Sequence, residues 1–77
     1  MKETLYLKKY LIAFYDAKYD DELIAVLTLD EFARVTKTSV SDARIKIRHY
    51  ISGRTKHITL FGRYCIPHLI KAEEVNN

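Results

Sequence analysis

Residues 28 to 53 read TLDEFARVTKTSVSDARIKIRHYISG, and this stretch decides the fold. Thr28 stands three residues before Glu31, and Ser39 three before Asp42. Each pair fits a capping box or its Asp variant, in which a hydroxyl accepts a helix-start N–H and the acid reaches back. The spacing predicts a first helix over Leu29 to Thr36 and a second over Val40 to Ser52. Gly53 supplies the stop, because glycine takes the left-handed C-cap conformation without strain. Leu29, Phe32 and Ala33 share one face of the first helix; Val40, Ala43, Ile47, Tyr50 and Ile51 share one face of the second. Ala33 and Ala43 are small enough to let the two helices cross closely. Ser41, Arg44, Ile45, Lys46, Arg48 and His49 are left as a mostly basic outer face. Two short helices, a tight turn and a basic outer face on the second describe a helix-turn-helix. The plain alternative is a helical hairpin whose charges only solvate it.

On either side of the pair the pattern turns β-rich. Lys8 to Tyr15, KKYLIAFY, and Glu22 to Leu27, ELIAVL, read as two strands joined by the polar turn DAKYDDE, so residues 8–27 form a hairpin. A single long N-terminal helix is the competing reading. Gly53 to Lys56 is a basic loop. Residues 57–66, HITLFGRYCI, alternate as a closing strand with Gly62 as a bulge. Pro67 is expected to end that strand, leaving 67–77 as a short tail whose last residues fray. The expected fold is therefore a single α+β domain of order β-β-α-α-β. It has a three-stranded antiparallel sheet with the helix-turn-helix pair packed on one face.

This arrangement resembles a group of small bacterial and phage helix-turn-helix proteins, in which a hairpin of the type YxxYDxxDxLI precedes the helix pair. It resembles more distantly the modular DNA-binding repeats attached to homing nucleases. Tyr10 to Asp16, Asp21, Leu23 and Ile24 carry the likeness, followed by Leu29, Phe32, Ala33, Ser39, Ile47 and Ile51. The resemblance implies DNA binding. At the turn the group commonly has Gly-Val-Ser, where this chain has Lys37, Thr38 and Ser39. Either Lys37 takes a strained left-handed conformation or the turn differs.

Charge supports the same direction. The chain has 77 residues and a net charge of +3, which alone says little. Its distribution says more: from Ala43 to Ala72 there is no Asp or Glu, while Arg44, Lys46, Arg48, Arg54, Lys56, Arg63 and Lys71 fall there with all three histidines. A one-sided basic surface attracts phosphate. On this reading Arg44 and Arg48 reach guanine edges and Ile45 a thymine methyl. Ser39 and Ser41 lie near phosphate at the helix start, and Arg54 and Lys56 hold the backbone. The expected function is sequence-specific binding of double-stranded DNA by a small bacterial or phage transcriptional regulator acting as a homodimer. Pairing is expected through the sheet face that the helices leave uncovered. The alternative is a protein-interaction module, such as a phage-type inhibitor of a host protein, that binds without DNA.

Enzyme signatures are absent. There is no Gly-rich phosphate loop and no CxxC or HExxH spacing, so neither catalysis, metal nor cofactor is expected. Asp20, Asp21 and Glu22 form an acidic knot that suits a solvated turn better than a carboxylate pair with chemistry to do. The tyrosines suit sheet packing, and those on an open face would stack on bases or on another subunit. The single cysteine, Cys65, excludes an internal disulfide and reads as a small buried apolar residue. MKETLYLKKYLIAFYD is not a signal peptide, and no apolar run is long enough to cross a membrane, so a cytoplasmic protein is expected.

Overall fold

A computed structural model describes residues 10–71. It contains β1 (Tyr10–Asp16), β2 (Leu23–Leu27), α1 (Leu29–Val35), α2 (Val40–Ile51), β3 (Ile58–Leu60) and β4 (Arg63–Lys71). The strands form one antiparallel sheet in the order β2-β1-β4-β3. The architecture is α+β with two helices, as the sequence predicts. It has four strands rather than three, and the order is β-β-α-α-β-β. The expected strand 57–66 is split by a two-residue turn at Phe61 and Gly62. Both have positive φ, 54° and 75°, which is the backbone a tight hairpin requires. Gly62 is therefore a turn residue and not a bulge; the bulge lies between Phe14 and Tyr15, against β2.

Pro67 does not end a strand. It sits inside β4 opposite Phe14. The reason is parity. Ala17 N–H donates to Tyr64 O at 2.9 Å, so positions 17 and 64 form a hydrogen-bonded pair. Hydrogen-bonded and open pairs alternate along an antiparallel ladder, which makes Phe14 and Pro67 an open pair. The proline nitrogen then points away from β1, toward the side that β3 covers only as far as Cys65. On such an edge the missing N–H costs no ladder bond. Residues 68–71, expected in the tail, thus complete β4, and Leu69 packs against the core. Lys8, Lys9 and residues 72–77 lie outside the described residues, with the expectations placed on them.

The core lies between the helices and one sheet face. Ile12, Phe14, Ile58, Leu60 and Cys65 from the sheet meet Leu29, Phe32, Ala33, Ala43 and Ile47 from the helices. The Phe14 and Phe32 rings are 5.1 Å apart between centroids. Ala33 and Ala43 are both buried, as a close helix crossing demands. Ile51, expected on the inner face of α2, is 58% exposed. It is the last residue of α2, with no further helical turn after it to pack against.

Candidate nucleic-acid interface

Local chemistry fixes where the second helix begins and which way it leads. Thr28 Oγ1 accepts Glu31 N–H at 3.1 Å and Glu31 Oε1 accepts Thr28 N–H at 2.9 Å, a complete capping box for α1. Ser39 Oγ accepts Asp42 N–H at 3.0 Å, which starts α2 with half of that arrangement. Between the helices, Thr38 N–H donates to Ala33 O and Lys37 N–H to Arg34 O, the paired bonds of a Schellman motif. Lys37 occupies its left-handed position with φ 58°, so the strained alternative is the one adopted. α2 ends the same way: Arg54 N–H donates to His49 O, Gly53 N–H to Tyr50 O, and Gly53 has φ 85°.

Ala43 and Ile47 turn α2 inward, with Val40 and Tyr50 packed beside them. Ser41, Ile45, Lys46 and Arg48 are exposed, and Ile45 is apolar yet 44% open to solvent. Arg44, expected on the outer face, is half-buried. Its Nε is shielded from solvent and has no hydrogen-bond partner among the described residues. Arg54, Thr55, Lys56 and His57 follow in an exposed loop. The proposed base-reading and phosphate-holding residues therefore lie on one helix and its exit. Ser39 Oγ is committed as an acceptor to the cap, although a hydroxyl keeps a proton to donate.

Among the described residues, the ion pairs are those of Arg63, to Asp16 at 3.2 Å and to Glu22 at 3.7 Å. Arg44, Lys46, Arg48, Arg54 and Lys56 make none with a described carboxylate. Arg48 and His49 in the last turn also suit the negative end of the helix dipole, which accounts for part of the basic bias without any ligand.

The sequence gives little sign of the cluster around Asp16. Its Oδ1 accepts Lys18 N–H at 2.7 Å and Tyr19 N–H at 2.9 Å, while Oδ2 meets Arg63. The two backbone N–H groups, Tyr19 first, hold its pKa below the ordinary carboxylate value, aided by Arg63 and Lys18 and opposed by desolvation. The short-range signal available was an Asp followed by a turn, the usual Asx pattern; the arginine partner comes from β4. Behind it, Cys65 is buried, and burial, then the Asp16 charge, push its thiol pKa up.

A second feature is aromatic: tyrosines on an open sheet face are expected from the sequence, but their histidine partners are not. On the sheet face away from the helices, His57 stacks on Tyr64 at 4.0 Å, and Tyr15 meets His68 edge-on at 5.1 Å. An open cleft of about 330 Å³ beside them is lined by Asp16, Ala17, Lys18, Tyr19 and Tyr64. Among the described residues, no group of three or more His, Cys, Asp or Glu side chains could hold a metal ion. No described helix is long and apolar enough to cross a membrane. Compared with known proteins, the chain matches no family model, no curated protein and no solved structure.

Proposed function

We propose that the protein binds double-stranded DNA in a sequence-specific way, with α2 in the major groove, and acts as a small transcriptional regulator. The observation that supports this most is the run of five cations on α2 and its exit loop that no described carboxylate neutralises. One of them, Arg44, has a shielded Nε without an acceptor among the described residues; an atom closed to solvent is closed to a ligand too, so Arg44 would meet DNA through its terminal nitrogens. Arg44 and Arg48 stand one helical turn apart, about 6 Å along the axis, which spans roughly two base-pair steps of about 3.4 Å. Both reach guanine edges, Ile45 lies against a thymine methyl, and Ser41, Arg54 and Lys56 contact backbone oxygens. In this reading two copies act on half-sites about 34 Å apart, because one short helix offers few base contacts.

The test is a salt-dependent shift assay on duplex fragments flanking the protein's own gene. Arg44→Ala costs about 1–3 kcal/mol and relaxes specificity at one base position. Lys56→Ala weakens all sequences evenly and lowers the salt slope by about one. Unchanged duplex binding in both variants refutes the groove assignment. Sedimentation with and without duplex tests the pairing, and a single copy on a full-affinity site removes it.

A further inference from the structure

The sheet has a second face, and the duplex contacts make no use of it. The register turns Leu23, Val26, Tyr64 and Ile70 to that face, and they are between 36% and 60% exposed. Between them lie Tyr15, Ile66 and the fully buried Ala13. None of the described strand residues on this face is Asp, Glu, Lys or Arg, although charged residues make up 30% of the chain. An antiparallel sheet with one face in water carries polar residues on that face. An uncharged, mostly apolar surface running across three strands marks instead a face that something covers.

We propose that a second copy of this chain covers it, the two sheets packing face to face across a two-fold axis. Charge favours a copy: a face without formal charge complements neither an acidic nor a basic partner, but it complements itself. Area favours it too. At a rise of about 3.4 Å per residue and a strand spacing of about 4.8 Å, the four strands span about 400 Å² of flat sheet. Two such faces, with the relief of their side chains, bury about 1,000 Å², the size at which specific interfaces begin. The sheet edges offer no competing joint. β2 has five residues, and its register against β1 skips Ile24 in a bulge. On the far side β3 has three residues, and beyond it β4 carries Pro67. Short strands, bulges and prolines close an edge to strand addition. The pairing also suits DNA, a point that rests on the duplex binding proposed above. α1 packs over β1 and β2, and α2 over β3. With the two-fold axis running across the strands, both α2 helices lie along the same side of the sandwich. Sheets about 10 Å apart, each with a helix axis about 10 Å outside it, put the two α2 helices about 30 Å apart, close to the spacing of about 34 Å between half-sites.

Sedimentation of the full chain without DNA, across the micromolar range, is expected to show monomers and dimers in exchange. Val26→Lys and, independently, Ile70→Lys should weaken the dimer about tenfold or more, because each sets a charge against an apolar face. Circular dichroism checks that each variant folds. Hydroxyl-radical labelling of the unaltered protein needs no substitution: Val26 and Ile70 should lose reactivity as concentration rises, while Ile45 and Ile51 on α2 keep theirs. Duplex titration separates this proposal from the one it rests on. Val26→Lys should lose affinity for a full site and still bind a half-site, whereas Arg48→Ala should lose duplex and still dimerise. A dimer that binds no duplex upholds the pairing and refutes the groove assignment alone. The pairing is overturned by a monomer at every concentration. A monomer whose Val26 and Ile70 resist labelling throughout overturns it too, by assigning the cover to the chain's own residues outside 10–71. A dimer that neither lysine variant weakens overturns it equally.

Discussion

Replacing Lys37 by glycine should stabilise the protein, and the magnitude follows from the turn. Both helices end in the same Schellman motif with a left-handed residue after the cap. At the end of α2 that residue is Gly53, φ 85°, and at the end of α1 it is Lys37, φ 58°. A Cβ in this region crowds the following carbonyl at about 1–2 kcal/mol. Glycine removes that strain but enlarges the unfolded ensemble, which gives back about 0.4–1 kcal/mol. The net gain is about 0.5–1 kcal/mol, or roughly 2–8 °C in Tm at about 4–8 °C per kcal/mol for a domain this size. The assay is thermal and urea unfolding of Lys37→Gly beside Lys37→Ala. Alanine keeps the Cβ and so keeps the strain, and should leave Tm nearly where it is. Gly53→Ala provides the mirror image. A Cβ there meets nothing within 4 Å, so its cost is conformational alone, about 1 kcal/mol in the destabilising direction. Equal stabilities for Lys37→Gly and Lys37→Ala, or a loss with glycine, would refute the claim that Lys37 stores backbone strain.

Two further outcomes follow from the Asp16 cluster and the core behind it. The folded-state pKa of Asp16 lies below its unfolded value near 3.8, so its charge stabilises the fold above that pH and the contribution is lost as pH falls through the lower folded value. Tm measured from neutral to strongly acid pH should therefore drop on the acid side. Asp16→Asn should flatten that drop; an unchanged profile would show that other carboxylates carry it. Cys65 is buried with its thiol pKa raised, so a thiol reagent at neutral pH should label it only as fast as the chain unfolds, and added urea should speed the reaction. Rapid labelling under native conditions would mean that β4 opens locally.

The helix pair was legible because its signals are local. Thr28 with Glu31, Ser39 with Asp42, and Gly53 each act on N–H or C=O groups within one turn of themselves, so any fold containing these residues in order meets the same capping chemistry. The inward faces of both helices were readable for the same reason, down to the paired alanines, and Ile51 escaped only because it lies where the helix runs out. The candidate interface was readable as a face, since one side of α2 is basic by periodicity. That Arg44 is half-buried with an unpaired Nε depends on how deeply α2 sits against its neighbours, which spacing does not encode. The sheet was decided by tertiary structure. Phe61-Gly62 lacks the usual Asn-Gly or Asp-Gly of a tight hairpin, and a phenylalanine at positive φ is adopted only when pairing on both sides imposes it. Pro67 looked like a terminus because the sequence does not say which way its nitrogen points. The register against β1 does, by turning that nitrogen to an open edge. Arg63 finds Asp16, and Tyr64 comes diagonal to Tyr15, by the same pairing: residues remote along the chain become neighbours only once β1 and β4 lie side by side.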